Sequence, residues 1–132
     1  KLNLPKEIVF PTSYTTHFKR RELDYLIDIT IRCDASIRIL HIMAEDSMSD
    51  KQIATKTQLE DYFVDVNHSF HFLRNMPVTA AINCFVDSRE SDMIAFINKK
   101  HNFFASIINQ PLVKGIAYDS KVPILVMHDL RS

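Results

Sequence analysis

DMIAFINKKHNFFASIINQP, residues 92–111, contains the change of pattern on which the predicted fold depends. A short apolar run passes into a basic loop with histidine and asparagine, and an amphipathic segment follows. This pattern predicts a strand over Asp92–Ile97, then a loop, then a helix over Ile108–Tyr118. In an open parallel sheet, ligands bind beyond the carboxyl ends of the strands, where the strand order reverses. The loop is therefore the first candidate for a functional site.

Outward from this stretch, apolar segments with β-branched residues alternate with segments of helical periodicity. Such alternation predicts a parallel sheet with right-handed crossover connections, which is an α/β fold. The predicted strands are Glu7–Pro11, Ser36–Met43, His68–Arg74, Asp92–Ile97 and Val122–His128. The predicted helices span residues 17–33, Asp50–Val66, the segment from Pro77 to the Ser88–Ser91 tract, and Ile108–Tyr118.

Capping residues and apolar stripes define the first three helices. Thr15 or Thr16 is the predicted N-cap of the first helix and Ser47 or Ser49 that of the second, while Pro77 fits the first turn of the third. Side chains that recur at helical spacing are predicted to face the sheet. They are Leu23, Leu26, Ile27, Thr30 and Ile31 in the first helix, Ile53, Leu59, Phe63 and Val66 in the second, and Val78, Ala81, Ile82, Phe85 and Val86 in the third.

Length and composition favour one domain with a single well-buried core, since the chain has 132 residues and is 46% hydrophobic. Lys and Arg together number 16, as do Asp and Glu. No overall field therefore attracts nucleic acid or an anionic membrane. No apolar run is long enough to cross a bilayer, and the amino end lacks a signal-peptide core, so a cytoplasmic protein is expected. Because Lys1 replaces an initiator methionine, we expect the chain to be part of a longer one.

The chain contains two cysteines and one glycine. Cys33 and Cys84 lie in apolar helical patterns without close spacing, which favours buried, reduced thiols over a disulfide. The single glycine, Gly115, means that turns needing positive φ must use Asn, Asp or Ser.

Several of these segments resemble a known family. The order of apolar runs, the turn FPTSYT (residues 10–15) and the strand VPILVMHD (residues 122–129) together resemble a universal stress protein domain. MIAFINKKHNFF (residues 93–104) resembles the downstream domain of a two-domain universal stress protein. The resemblance covers about Pro5 to Leu130. It implies an open five-stranded parallel sheet in the order 3-2-1-4-5, with helices on both faces, as in the adenine nucleotide alpha hydrolase-like fold.

The resemblance also locates the family's nucleotide site. Nucleotide-binding members have G-x2-G-x9-G-[ST] after the fourth strand, and this spacing falls on Ile97, Lys100, Gln110 and Pro111, with every glycine replaced. An aspartate near the end of the first strand contacts adenosine in those members, and Ser13 stands at that position. Bare N–H groups in such a loop bind phosphate, and side chains or a proline remove that access. The resemblance therefore implies that ATP binding is lost, and no cofactor is expected.

The loop itself offers a different binding site. Lys99, Lys100, His101 and Asn102 could hold a phosphate or carboxylate by charge-assisted hydrogen bonds, with the Thr12 and Ser13 hydroxyls across the cleft. Gln110 is a further candidate from the family spacing. The alternative is a solvated loop tip whose Phe103 and Phe104 anchor the backbone, or fill the pocket where a nucleotide would bind.

Other chemical sites are less well supported. On a strand, His68 and His71 point to opposite faces, which disfavours a metal site and favours two structural histidines. Neither cysteine lies at a strand end, where this fold places catalytic groups, so cysteine catalysis is not expected. The Lys19–Arg21 run is interpreted as a solvated face, with anion binding as the alternative.

Two function classes follow from these patterns. The first is a non-catalytic stress-response domain that acts as an interaction or dimerisation unit. The alternative is a sensor that binds a nucleotide or another phosphorylated metabolite through the Lys/His loop. A small hydrolase lacks any nucleophile elbow or carboxylate pair. Pairing of two such domains is predicted through an unprotected, uncharged edge strand containing Val122, Ile124, Leu125, Val126 and Met127.

Overall fold

Five parallel strands form the centre of the structure, a computed structural model that describes residues 4–43, 46–98 and 122–128. The strand order is β3-β2-β1-β4-β5, and each neighbouring pair is parallel. This confirms the predicted fold class and strand order. In chain order the elements are β1 (Glu7–Thr12), α1 (Arg20–Arg32), β2 (Ser36–Met43), α2 (Asp50–Tyr62), β3 (Asn67–Arg74), α3 (Val78–Arg89), β4 (Met93–Asn98) and β5 (Ile124–His128).

The helices lie on both faces of the sheet, because alternate strand residues point to opposite sides. The core on one face joins side chains of α1 and α2 to the sheet and includes Phe10, Leu26 and Phe63. The core on the other face joins α3 to the sheet and includes Val9 and Phe85. Both faces of β1 are thus covered, as its continuous apolar run predicts.

Hydrogen bonds from β1 alternate between its two neighbours. The carbonyl of Lys6 accepts from the Ser36 amide of β2 at 2.9 Å, and the carbonyl of Glu7 accepts from the Asp92 amide beside β4 at 2.9 Å. The backbone N–H and C=O groups of the odd-numbered residues of β1 therefore point toward β4. Pro11 belongs to this set and has no N–H to donate.

Pro11 thus limits the pairing of β1 with β4. β1 pairs with β2 along its whole length, Glu7–Thr12, but with β4 only at Ile8 and Val9. The β1–β4 ladder ends before the carboxyl ends of the two strands. The strand order reverses at this junction, so the proline opens the sheet at the point where such folds bind ligands.

Helix α1 begins later than predicted. Its N-cap is Lys19 and not Thr15 or Thr16, and the Glu22 carboxylate accepts from the Lys19 amide at 2.9 Å. Thr15 is instead bonded within the preceding turn. Leu23, Leu26 and Thr30 are buried as expected, and Ile27 packs against the core, but Ile31 is 58% exposed.

Helix α2 has the predicted Ser49 cap but ends at Tyr62, before Val66. Leu59, Phe63 and Val66 are buried as predicted, whereas Ile53 is 48% exposed. In α3, four residues of the predicted stripe pack against the sheet and the fifth, Ala81, is buried. Cys33 is buried, but the prediction for Cys84 is wrong, since this thiol is exposed on the outer side of α3. Both cysteines are free.

Positive φ angles occur at Asp34 and Asn75, as the scarcity of glycine predicts, and also at Tyr14 and Glu90. Glu90 ends α3 in the left-handed conformation that glycine usually adopts there.

A charged network joins three strands to α3 at the amino end of the sheet. The Glu7 carboxylate accepts from Arg38 Nε, Arg89 Nε and Ser91 Oγ at 2.9, 2.9 and 2.7 Å. Arg38 continues the network by donating to Ser69 Oγ at 2.9 Å. Burial by itself raises the pKa of Glu7, but the hydrogen bonds from the two arginines and Ser91 outweigh it and lower the pKa to about 2.

We predict that Glu7→Gln lowers the free energy of unfolding near neutral pH by about 1 to 3 kcal/mol, since it leaves two cations without their carboxylate. Arg89 is about one-third exposed, so solvent screens part of its interaction. The pKa of Glu7 falls from 4.5 to about 2 on folding. Its stabilising contribution is therefore complete above about pH 4.5 and is lost as the pH falls toward 2.

Urea unfolding at a series of pH values measures this effect, and the variant should lose stability less steeply over the acid range. Asp28→Asn is the matched control, because the Asp28–Arg32 ion pair is 54% and 77% exposed. Its effect should be about 0.5 kcal/mol or less. Equal losses in the two variants would contradict the assigned role of Glu7.

Candidate functional site

A short turn follows β1 at the switch point of the sheet. Thr12 is buried, and its hydroxyl accepts from the Tyr14 amide at 3.0 Å. Ser13 Oγ lies 2.6 Å from Thr15 Oγ1. Tyr14, between them, has a φ of 61° and places its ring in the core. The hydroxyls of Thr12 and Ser13 thus stabilise the turn itself.

Helix α2 holds this turn in position. Ser49 Oγ accepts from the Gln52 amide at 3.1 Å, and Gln52 Oε1 accepts from the Ser49 amide at 2.9 Å. This capping box leaves Gln52 Nε2 to donate to the Ser13 carbonyl at 3.0 Å. One side chain therefore caps the helix and fastens it to the end of β1.

Of the predicted ligand-binding residues, the structure describes Thr12 and Ser13 at the carboxyl end of β1. Lys99, Lys100, His101, Asn102 and Gln110 lie outside the described residues, as do Phe103, Phe104, Pro111 and the predicted helix Ile108–Tyr118. Ile97, at the first glycine position of the family spacing, is buried in β4 and packs in the core beside α1 and α2. The binding role of the predicted set stays a prediction.

A cavity of about 70 Å³ lies beside the turn, at the carboxyl ends of β1, β2 and β3 and beneath α2. Its wall is mainly aromatic and thioether, with two histidines and one lysine. The described lining residues are Tyr14, His41, Met43, Met48, Lys56, Phe70, His71 and Phe72. No aspartate or glutamate is among them. A wider and more open groove lies between the turn and α2, where His17 and Lys51 face it.

His41 and Tyr14 form the inner wall of the cavity. Their rings lie 4.8 Å apart between centroids, and both residues are at least 95% buried. His41 Nδ1 lies 3.1 Å from the Thr12 carbonyl. A carbonyl only accepts, so Nδ1 must carry the proton. Burial lowers the pKa of His41, and the nearby Lys56 charge lowers it further, although the bond to Thr12 opposes both.

The Tyr14 phenol remains protonated, because burial and the negative charge of Glu60 raise its pKa. At the mouth of the cavity, the Lys56 ammonium lies 5.2 Å from the centre of the Phe70 ring, a cation–π contact. The cavity therefore contains a neutral imidazole, a phenol and an ammonium group.

Sequence reasoning missed this cavity. In SIRILHIM (β2) alternate residues 37, 39 and 41 share a face, and His41 is the polar member of that face. This was the available signal for a buried histidine. Tyr14 gave no such signal, because a large aromatic residue with positive φ is not expected in a turn. Lys56 gave no signal either, because polar and apolar residues are mixed along α2 and nothing distinguishes this lysine from the other charged residues there.

His68 and His71 point to opposite faces of the sheet, as predicted: His68 contacts Phe63 on the side of α2, and His71 contacts Phe85 of α3. Within the described ranges, no group of three or more His, Cys, Asp or Glu side chains could hold a metal ion. Arg20 and Arg21 are exposed, in agreement with a solvated face. No helix in the described part of the chain has the length and apolar character needed to cross a bilayer.

Comparison with known proteins gives structural matches without sequence matches. No protein-family model matches the chain, and neither does any curated protein sequence. A universal stress protein in complex with cAMP superposes with a TM-score of 0.69 at 16% identity, covering 96% of this chain and 98% of that one.

Two further structural matches also contain a bound nucleotide. A universal stress protein from Archaeoglobus fulgidus in complex with dAMP has a TM-score of 0.62 at 14% identity, over 95% of this chain and 99% of that one. A universal stress protein family protein from Arabidopsis thaliana with AMP bound has a TM-score of 0.55 at 12% identity, over 96% of this chain and 93% of that one. The chain has the fold of the universal stress proteins.

Proposed function

We propose that this chain is a non-catalytic universal stress protein domain that has lost the family's ATP-binding loop and acts as an interaction unit. The observation behind the proposal is the side-chain content of the switch point. Ile97 stands at the first glycine position and its side chain fills the core, and the hydroxyl of Ser13 replaces a carboxylate and bonds within its own turn. Neither residue offers the bare N–H groups or the negative charge of a nucleotide cradle.

Lys100, Gln110 and Pro111 at the remaining positions support the same proposal. A side chain at a position built for glycine blocks close approach of phosphate, and a proline has no N–H to donate. The proposal also accounts for the absence of any carboxylate pair or activated nucleophile at the described carboxyl ends of β1 and β2.

We predict that the purified protein binds ATP more weakly than the low micromolar range, because the phosphate-binding backbone is obstructed. Isothermal titration calorimetry with ATP measures this directly. Mass spectrometry of the denatured protein tests in parallel for a nucleotide retained during purification. Adenine nucleotide at near-equal stoichiometry, or a dissociation constant in the low micromolar range, would overturn the proposed loss.

The second candidate function is a sensor of a nucleotide or another phosphorylated metabolite. It is favoured by the solved neighbours, whose structures contain cAMP, dAMP and AMP. These ligands have one phosphate group and need fewer phosphate contacts than ATP does. In this chain, Lys99, Lys100 and His101 would supply charge in place of the glycine loop.

If this second function is correct, AMP should bind and the Lys99→Ala/Lys100→Ala double variant should bind it more weakly. About 1 to 3 kcal/mol should be lost for each charged hydrogen bond removed. Lys51→Ala on α2 is the control and should leave affinity unchanged. Calorimetry of the three proteins with AMP decides the matter, and equal affinities would exclude the Lys/His loop as the site.

For the interaction function, we infer that two domains pair through β5. In the described sheet, β5 is an edge strand whose outer side has no partner. Pro123 lies just before the strand, where a missing N–H is tolerated, and the run Ile124–Met127 contains no charge. Val126 is 37% exposed. An uncharged edge of this kind favours antiparallel pairing about a two-fold axis near Leu125.

We predict that Val126→Lys converts a dimer into a monomer, because two copies of the charge would meet across the two-fold axis. Ile124→Lys should act in the same way. Ile53→Lys is the matched control, since Ile53 is an exposed apolar side chain on α2, the helix that packs beside β3 at the opposite edge of the sheet. Sedimentation velocity at several concentrations measures the result. A wild-type protein that is monomeric at high concentration would refute the pairing.

A further inference from the structure

The cavity beneath α2 is lined by two buried residues with polar atoms that have no hydrogen-bond partner among the described residues. Tyr14 is 2% exposed and His41 is 5% exposed. In the described part of the chain, no group bonds to the Tyr14 hydroxyl or to His41 Nε2. Buried polar groups are nearly always paired, and leaving one unpaired costs about 1 to 3 kcal/mol. Two such atoms lining one cavity indicate that something else pairs with them.

The state of His41 restricts what that partner is. Its Nδ1 donates to the Thr12 carbonyl at 3.1 Å, so the neutral ring leaves Nε2 as an acceptor. A group that bonds to Nε2 must therefore donate an O–H or N–H. The Tyr14 phenol, by contrast, is protonated and donates.

Lys56 determines the charge of the partner. No described carboxylate forms an ion pair with it, and its ammonium contacts the Phe70 ring at 5.2 Å. The thioethers of Met43 and Met48 are soft metal ligands, but a positive charge at the mouth disfavours a metal cation. Since none of the described lining residues is acidic, the cavity favours an anion.

The size of the cavity limits the partner to a few atoms. A volume of about 70 Å³ holds several waters or one small ion. Phe70 and Phe72 supply apolar walls, which disfavour a strongly hydrated, doubly charged ion.

We propose that this cavity binds a small, singly charged oxyanion that retains at least one O–H group, of the kind of dihydrogenphosphate or hydrogencarbonate. The O–H donates to His41 Nε2, and the charged oxygens accept from the Tyr14 hydroxyl and the Lys56 ammonium. The proposed contacts do not include the Lys/His loop, and the proposal does not depend on either function proposed above.

The proposal predicts discrimination between anions of similar size. Sulfate has no proton near neutral pH and cannot donate to His41, so it should bind at least about tenfold more weakly than phosphate. Titration of isotope-labelled protein with phosphate, hydrogencarbonate and sulfate, followed by NMR, reports on His41 Nε2 directly. The phosphate and hydrogencarbonate arms decide which of the two sources supplies the ligand.

Two variants with one control test the assigned contacts. Tyr14→Phe keeps the ring and removes only the hydroxyl, and Lys56→Met keeps the length of the side chain and removes the charge. Each should weaken binding about tenfold or more. Lys51→Met on the same helix, outside the cavity lining, should leave binding unchanged. Thermal unfolding checks that each variant is folded.

The expected result is a shift of the His41 Nε2 resonance that saturates with phosphate or hydrogencarbonate and is small with sulfate. The proposal is overturned if wild type shows no saturable shift with either anion. It is also overturned if sulfate binds equally well, or if folded Tyr14→Phe and Lys56→Met proteins bind like Lys51→Met.

Discussion

The hydrogen bonding of β1 is the constraint on which the rest of the structure depends. As the central strand, β1 must pair on both sides and be covered on both faces, and the run Ile8–Phe10 meets this demand with fully buried side chains. Pro11 then removes one donor on the side of β4, so the pairing with β4 stops at Val9 while that with β2 continues to Thr12. A fully paired central strand would leave no opening at the reversal of strand order.

The polar groups at the two ends of β1 differ in whether their hydrogen bonds are satisfied. At its amino end, Glu7 is saturated by two arginines and a serine, which stabilises the packing of α3 against three strands. At its carboxyl end, the Ser13 carbonyl accepts a hydrogen bond from Gln52, which holds α2 in place. His41 Nε2 and the Tyr14 hydroxyl have no partner within the ranges that the structure describes. A fully hydrogen-bonded network contributes stability, whereas a buried polar group without a partner costs free energy unless a ligand or water pairs with it.

Sequence patterns predicted the strands to within about two residues, because buried parallel strands are short apolar runs whatever they pack against. The predicted start of α1 was wrong, because the Thr15 hydroxyl could cap a helix but bonds to Ser13 instead. The predicted burial of Ile31, Ile53 and Cys84 was wrong as well, since all three are exposed. An apolar side chain near the margin of a helical stripe is buried only if a neighbouring element covers it, and helical periodicity does not report that.

The sequence by itself determined the alternation of strands and helices, the parallel sheet and the absence of glycine from residues 92–111. These follow from local periodicity and residue type, and the family resemblance added the strand order. Only the tertiary structure decided that Tyr14, His41 and Lys56 share one cavity. They come from a turn, a strand and a helix, and their proximity depends on the crossover geometry and on the bond from Gln52 to Ser13. The tautomer of His41 was decided there too, because the Thr12 carbonyl that accepts the hydrogen bond from Nδ1 belongs to a different strand.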